Sequence, residues 1–519
     1  MMKSFLKKLF SQSQDTIDEQ TTEDESIAAK EQAISGRLQT NVERVETLYH
    51  VNKNIDLIIR HFTIGGTKKN AALIFYSSTT DQTVIEMQIL RPLLSNRDKQ
   101  TSIKNILTAQ SIIPCHKMSD LLREIGNGNT ALLIDGEVKA YAINTTKFQG
   151  RSVEKPENEV VLRGPNEAFN ENIEASMSLI RKKIKNENLI FEAVPVSKRS
   201  HNVAYITYLH DLTNEDLIAR IKKQLSELDV DAVPNTSVLE HYIEERPKSL
   251  FPSILYTERP DRVTDFIENG HLVLIMDNSP AALILPATFW SFYHSSEDNY
   301  NRFLNTNFTR ILRLIALFIS LFIASFYVAV TTFHSEMIPF ELLMAIVATR
   351  EKVPFPPLIE VFLMQIAFEL IREAGLRVPM PIGSTIGIVG ALILGQAAVE
   401  ANIVSPIVVI IVALDGLSSF ALSDMSLNFA IRMLRFIAIL SAALFGFLGI
   451  VFFFIILLFY LVSITSFGVP YFAPKTPHYP SSQNTYLRDL FKHEIFRPGY
   501  VKPKDITKKP RDVHEQSKT

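Results

Sequence analysis

The 519-residue chain has one cysteine, Cys115, so an internal disulfide is excluded and a reducing compartment fits. No CxxC and no clustered Cys/His spacing occurs, and no metal or other cofactor is expected. Charge of one sign is also lacking: the formal net charge is −2, which gives no reason to expect a nucleic-acid partner. The opening Met1–Phe10 alternates Lys3, Lys7 and Lys8 with Phe5, Leu6, Leu9 and Phe10, without the apolar core of roughly 7–15 residues that a cleaved signal requires. Gly65-Gly66-Thr67-Lys68-Lys69 misses the GxxxxGK[ST] spacing of a phosphate loop and reads as a turn. His61, His201, His210, His241 and His271 lie far from any nucleophile or carboxylate at a telling interval, so no enzyme is expected. Above all, the first three hundred residues contain no long apolar run, and the remainder contains several.

Residues 1–45 read as a flexible lead-in, 46–150 and 151–300 as two α/β subdomains divided near Arg151–Pro156, 301–470 as a membrane helical domain, and 471–519 as a basic tail. The runs 71–76, 131–135, 203–209 and 272–276 are short, bounded and β-branched or aromatic, which predicts strands. Asp135-Gly136 and 277–280 predict hairpin turns, and their recurrence hints at a duplicated subdomain. Helices are expected over 170–186 and 214–228, the second opened by Asn214 with Glu215 and Asp216 behind it.

The stretches 311–333, 382–398, 403–414 and 429–467 are almost wholly apolar. A membrane crossing must be a helix of roughly 20 such residues, because lipid offers the backbone no hydrogen bonds. The run 429–467 is too long for one crossing, and Gly446 and Gly449 offer a place to turn. Counting 357–375 as well gives six crossings, with both termini cytoplasmic beside Arg302, Arg310, Arg313 and the basic tail. Arg350 and Lys352 are then exceptions on the outer side, and 338–348 is too short to cross and reads as interfacial or re-entrant. Within 357–375, Gln365, Glu369 and Arg372 fall within about 60° of one another on a helix. A carboxylate facing lipid costs several kcal/mol, so Glu369 is expected to face protein or water, as part of an ion path or of a Glu369–Arg372 pair that seals helices. Glu360, in the first turn, is expected to reach the headgroups. Asp415 is expected at a membrane boundary, and Gly383, Gly387, Gly390 and Gly395 are expected to pack helices closely.

Several blocks stand out: Arg151-Ser-Val-Glu-Lys-Pro156, Arg163-Gly164-Pro165 with 166–169, 179–186, and Thr257-Glu258-Arg259-Pro260-Asp261-Arg262. The densest are 334–339, 353–356, 368–375, 381–390, 395–401 and 404–406. Together they resemble the A subunits of GerA-type nutrient germinant receptors of bacterial endospores. Asn166, Ala168 and Asp415 depart from the family pattern. The resemblance implies a receptor subunit in the spore inner membrane that works with a transporter-like B subunit and a C lipoprotein. It also implies a self-associating, ligand-gated cation channel, of which a pentamer is one form. The competing expectation is a non-conducting scaffold that clusters receptor complexes.

Overall fold

The computed structural model describes residues 29–97, 103–148, 155–377, 393–482 and 484–509. Its first half holds two five-stranded antiparallel sheets. Strands β1 (Leu57–Thr63), β2 (Asn70–Tyr76), β3 (Ile112–Cys115), β4 (Thr130–Ile134) and β5 (Ala140–Ile143) pair in the order β1-β2-β4-β5-β3. Strands β6 (Leu189–Pro195), β7 (Val203–Leu209), β8 (Leu255–Thr257), β9 (Leu272–Met276) and β10 (Ala282–Leu285) repeat that order as β6-β7-β9-β10-β8. The duplication hinted at by the two turns is thus a repeated topology. Gly136 and Asn278 take the positive φ of tight turns, +82° and +58°.

Each sheet is covered on both faces, which is why its central strands are continuously apolar instead of alternating. In β2, Ala72 and Ile74 pack under helices α1 (Leu38–Leu48) and α2 (Met118–Gly126), and Leu73 and Phe75 face a separate cluster with Ile85, Ile89 and Leu93. Residues 34–45 therefore belong to the first core through Ile34, Leu38, Val42 and Val45. The composition of 11–40 concealed this, because the helix shows water its polar side. In the second unit, Ala204, Ile206 and Leu274 share a cluster with α5 (Thr236–Ile243) and with α4 (Glu215–Ser226), whose N-cap Asn214 accepts from Asp216 N at 2.8 Å. The lone thiol, Cys115, is buried in the first core, and burial pushes it up to about 11.

The two units meet at a buried ion pair. Arg181, on α3 (Ile173–Lys183), donates to Asp56 at 3.1 Å and to Leu189 O at 2.7 Å, and lies 4.0 Å over the ring of Tyr76. Both charged side chains are almost completely enclosed. Asp56→Ala strands the guanidinium, and a loss of about 3–5 kcal/mol is expected. A thermal melt of the full chain in detergent checks this. Lys182→Ala on the same helix, where the partner Glu167 is at the surface, should shift stability by less than about 0.5 kcal/mol.

The other face of the second sheet has no boundary with the helical region. Val273, Ile275 and Phe251 share one apolar cluster with Leu317 and Leu321 of α7 (Phe303–Phe333) and Leu434 and Ala438 of α11 (Met425–Ser463). Between them lie α8 (Phe340–Arg350), α9 (Pro357–Arg377) and α10 (Pro406–Ser419). Helix α8 buries only Ile346, leaving Phe340, Leu342, Met344 and Val347 exposed. Among the described residues, only α7 and α11 are long and apolar enough to cross a membrane by composition, fewer than the six crossings expected. The physical reasons differ from case to case. Helix α9 carries Glu360, Glu369, Arg372, Glu373 and Arg377, and α10 is short. The span expected over 382–398 lies largely outside the described residues.

Helix α11 is two arms, 425–445 and 447–463, separated by Gly446 at φ +60° and ψ −138°. Their far ends return to the same place: Arg246 donates to Ser463 Oγ at 3.1 Å, and Asp424, the N-cap, lies within electrostatic reach of Arg262. At the reversal, Gly446 packs on His334, directly after α7.

Candidate functional site

Helix α9 presents its ionisable side chains to the helices beside it. Gln365 Nε2 donates to Asp415 Oδ2 of α10 at 2.6 Å. Arg435, on the first arm of α11, bridges Asp415 and Glu369, the latter at 2.7 Å. Arg432, one turn earlier, grips the same Glu369 with Nε at 3.1 Å and Nη2 on its other oxygen. Arg372 donates to Ser419 Oγ and lies 4.5 Å over the ring of Phe420. Gln365, Asp415 and Arg435 are fully buried, whereas Glu369 and Arg432 keep about a fifth of their side chains exposed (19% and 21%).

The predicted stripe of Gln365, Glu369 and Arg372 is therefore brought together, but not as the internal pair considered from sequence. Glu369 turns to Arg432 and Arg435, and Arg372 turns to α10. Asp415 is completely enclosed at the centre of the network, where its Oδ2 accepts from both Arg435 and Gln365. Glu360 does not reach outward either. Its carboxylate accepts the backbone N–H of Ser405 at 2.9 Å, at the start of α10, and holds Arg350 at 3.2 Å. Arg350, an exception to the charge rule in the sequence, is thereby paired.

A second polar construction joins the sheets to α7, and the matching family blocks supply it. Pro260 opens helix α6 (Pro260–Glu268), and Glu258 accepts the backbone N–H of Glu157 at 3.0 Å. Arg259 donates to Pro165 O at 2.8 Å and to Asp261 at 3.0 Å, and Asp261 also accepts from Tyr300 at 2.6 Å. Gly164 sits at φ +136° against the Tyr300 ring, leaving no room for a Cβ. Pro156 is buried, whereas Arg163 is exposed at the rim. These residues form a bracket around the loop that leads into the second unit. Beyond it, Asp298 accepts from Arg310 at 3.0 Å and from Arg313 at 3.1 Å, fixing the start of α7. Burial alone would raise the Asp298 carboxyl, but the two guanidiniums hold it below its usual range.

Gly383, Gly387, Gly390 and Arg151 lie outside the described residues. Gly395 is helical, and a Cβ there would lie 3.3 Å from Val409 of α10, a close contact between helices. Sequence reasoning missed Arg432 and Arg435 as partners of Glu369. The available signal was their spacing: two arginines three residues apart on an otherwise apolar helix require buried counter-charges.

The fold and site define a two-part protein, with paired antiparallel-sheet units fused to an apolar helical region that encloses charge. The chain belongs to the Bacillus/Clostridium GerA spore germination protein family, whose model matches residues 45–500. It is 37% identical to spore germination protein KA of Bacillus subtilis (strain 168), covering 93% of this chain and 88% of that one. It is 36% identical to spore germination protein A1 of the same organism, covering 77% and 83%. Against spore germination protein GerLA of Bacillus cereus it is 33% identical, covering 88% and 94%. The crystal structure of the N-terminal domain of the A subunit of the Bacillus megaterium spore germinant receptor GerK3 aligns with 50% of this chain and 98% of its own, at 23% identity and a TM-score of 0.38. That score is too low for the alignment to carry an argument.

Proposed function

We propose that the chain is the A subunit of a nutrient germinant receptor in the spore inner membrane, and that it converts nutrient capture into cation release. On this reading it self-associates, as a pentamer or another ring, and works with a transporter-like B subunit and a C lipoprotein. It crosses the membrane six times: α7, α9, 382–398, α10 and the two arms of α11. Packing of the C-terminal segment on the second sheet unit, through Lys504 with Glu215 at 2.8 Å, supports placing both termini on the cytoplasmic side.

The observation that carries the reading is Glu369. It is a carboxylate inside the helical region with one side left open, held by two arginines of the neighbouring helix. While Arg432 and Arg435 grip it, the carboxylate is neutralised and three guanidiniums surround two acids, a field that excludes cations. A conducting state requires those guanidiniums to release Glu369 toward the lumen between copies, with Arg372 at its rim and Gln365 behind it steadying Asp415. Nutrient binding drives this only if it contacts the two states differently.

Spores carrying Glu369→Ala should release cations roughly tenfold more slowly after nutrient, at unchanged subunit abundance. Unchanged release at normal abundance removes Glu369 from the route. The scaffold reading draws on the saturation of Glu369 by arginines within a single copy. It predicts instead that substitutions in the bracket, such as Arg259→Ala, impair germination while Glu369→Ala does not.

A further inference from the structure

The junction between the second sheet unit and α7 contains more buried positive charge than its described carboxylates neutralise. Arg310, Arg313 and Arg488 all converge on Asp298: the first two on its carboxylate, and Arg488 on its backbone carbonyl. All four side chains are more than nine-tenths buried. The nearby arginines have acids of their own, Arg259 pairing with Asp261 and Arg262 with Glu159. His294 adds no charge, because burial and then Arg310 push it down to about 3. Among the described residues, three guanidiniums thus share one carboxylate.

Beside this cluster is a cavity of about 650 Å³, lined by both Arg310 and Arg488 and by C-terminal residues that include Pro474, Ser481, Thr485, Phe496 and Tyr500. Arg310 Nη1, Arg488 Nε and the indole Nε1 of Trp290, another lining residue, are buried N–H donors without a protein acceptor. Uncompensated guanidinium charge and idle donors at a cavity of ligand size call for an acceptor carrying negative charge. The rest of the lining sets a limit. It carries the acids Asp261, Asp265, Glu268 and Glu494, of which burial raises Asp265 and Glu268, together with Lys508 and Lys509. A highly charged anion would be repelled there.

We infer that this cavity is a binding site for a single compact oxyanion group, a carboxylate or phosphate, seated against Arg310, Arg488 and Trp290. The group is either a free small anion or the phosphate of an anionic lipid, since Arg310 and Arg313 lie on the first turns of an apolar helix. Bound there, it completes the charge balance of the joint between the sheets and α7, and its occupancy fixes how firmly the C-terminal segment is held.

The test uses the full chain purified in detergent, with melting followed against inorganic phosphate and against acetate at constant ionic strength set by chloride. Native mass spectrometry of the same preparation reads retained lipid. A free-anion site raises Tm with the logarithm of phosphate or acetate concentration, and Arg488→Gln moves the half-maximal concentration up by about tenfold or more. A lipid site leaves Tm flat in both titrations but shows an anionic phospholipid retained by the wild type and lost from Arg488→Gln. Either result supports the site. A wild type that neither responds to the anions nor retains anionic lipid overturns it, and that result does not depend on the variant folding. If Arg488→Gln does not fold, Trp290→Phe, which removes only the idle indole donor, replaces it. Losing that donor should weaken binding of either source, and unaltered binding overturns the assignment.

Discussion

Arg435→Met should be the most damaging single change in the helical region, costing about 3–5 kcal/mol. Arg435 is enclosed and bridges two acids on two different helices. Glu369 retains Arg432 after the change, but Asp415 is left with only the amide of Gln365. An ionised carboxylate stripped of its partner within an apolar bundle either takes up a proton or unfolds its surroundings. Subunit abundance in the membrane fraction and the melting temperature of purified chain both read the loss. The double variant Arg435→Met with Asp415→Leu should recover a large part of it, since replacing both members of a buried pair by apolar groups is close to neutral. No recovery would mean that Arg435 matters for a reason other than its charge.

Gly446→Ala ranks second, with roughly 2–5 kcal/mol expected from backbone strain plus overpacking. At φ +60° and ψ −138° the backbone is in a region available essentially to glycine alone. The added Cβ would also lie 2.7 Å from the ring of His334 and 3.1 Å from Phe333 Cβ. Gly395→Ala provides the contrast. There the backbone is helical and, among the described residues, the new Cβ meets only Val409 at 3.3 Å, so less than about 1 kcal/mol is expected. Similar losses at both glycines would mean that the reversal at Gly446 is not what the region depends on.

The reversal at Gly446 and the strands were legible because local rules determine them. An apolar run of 39 residues cannot lie across one bilayer, and Gly446 is where it turns back. Strands such as 71–76 and 272–276 announce themselves by apolar runs between turn residues, and those runs are continuous because helices cover both faces of each sheet. The N-terminal boundary was not legible in the same way: α1 offers the core only one stripe, Leu38, Val42 and Val45, within a polar stretch.

Long-range pairing was the part the sequence could not display. Helical periodicity gathered Gln365, Glu369 and Arg372 on one face, but it cannot say which neighbour that face meets. Arg432 and Arg435 stand more than sixty residues further along the chain. The pairing of Asp415 was hidden for the same reason: its place at the end of an apolar run gave no sign of its burial, which the meeting of α10 with α11 makes tolerable. Arg259, Asp261 and Gly164 were visible as motif blocks, without any indication that they gather with Tyr300 into one bracket.

The most direct measurement is nutrient-triggered cation flux from liposomes containing the purified receptor with its partners. The nutrient mixture is the one that germinates the corresponding spores. Cations should leave wild-type vesicles when nutrient is added, and vesicles holding Glu369→Ala at equal protein content should lose them roughly tenfold more slowly. Wild-type vesicles that hold their cations while the receptor demonstrably binds nutrient would contradict conduction through this chain.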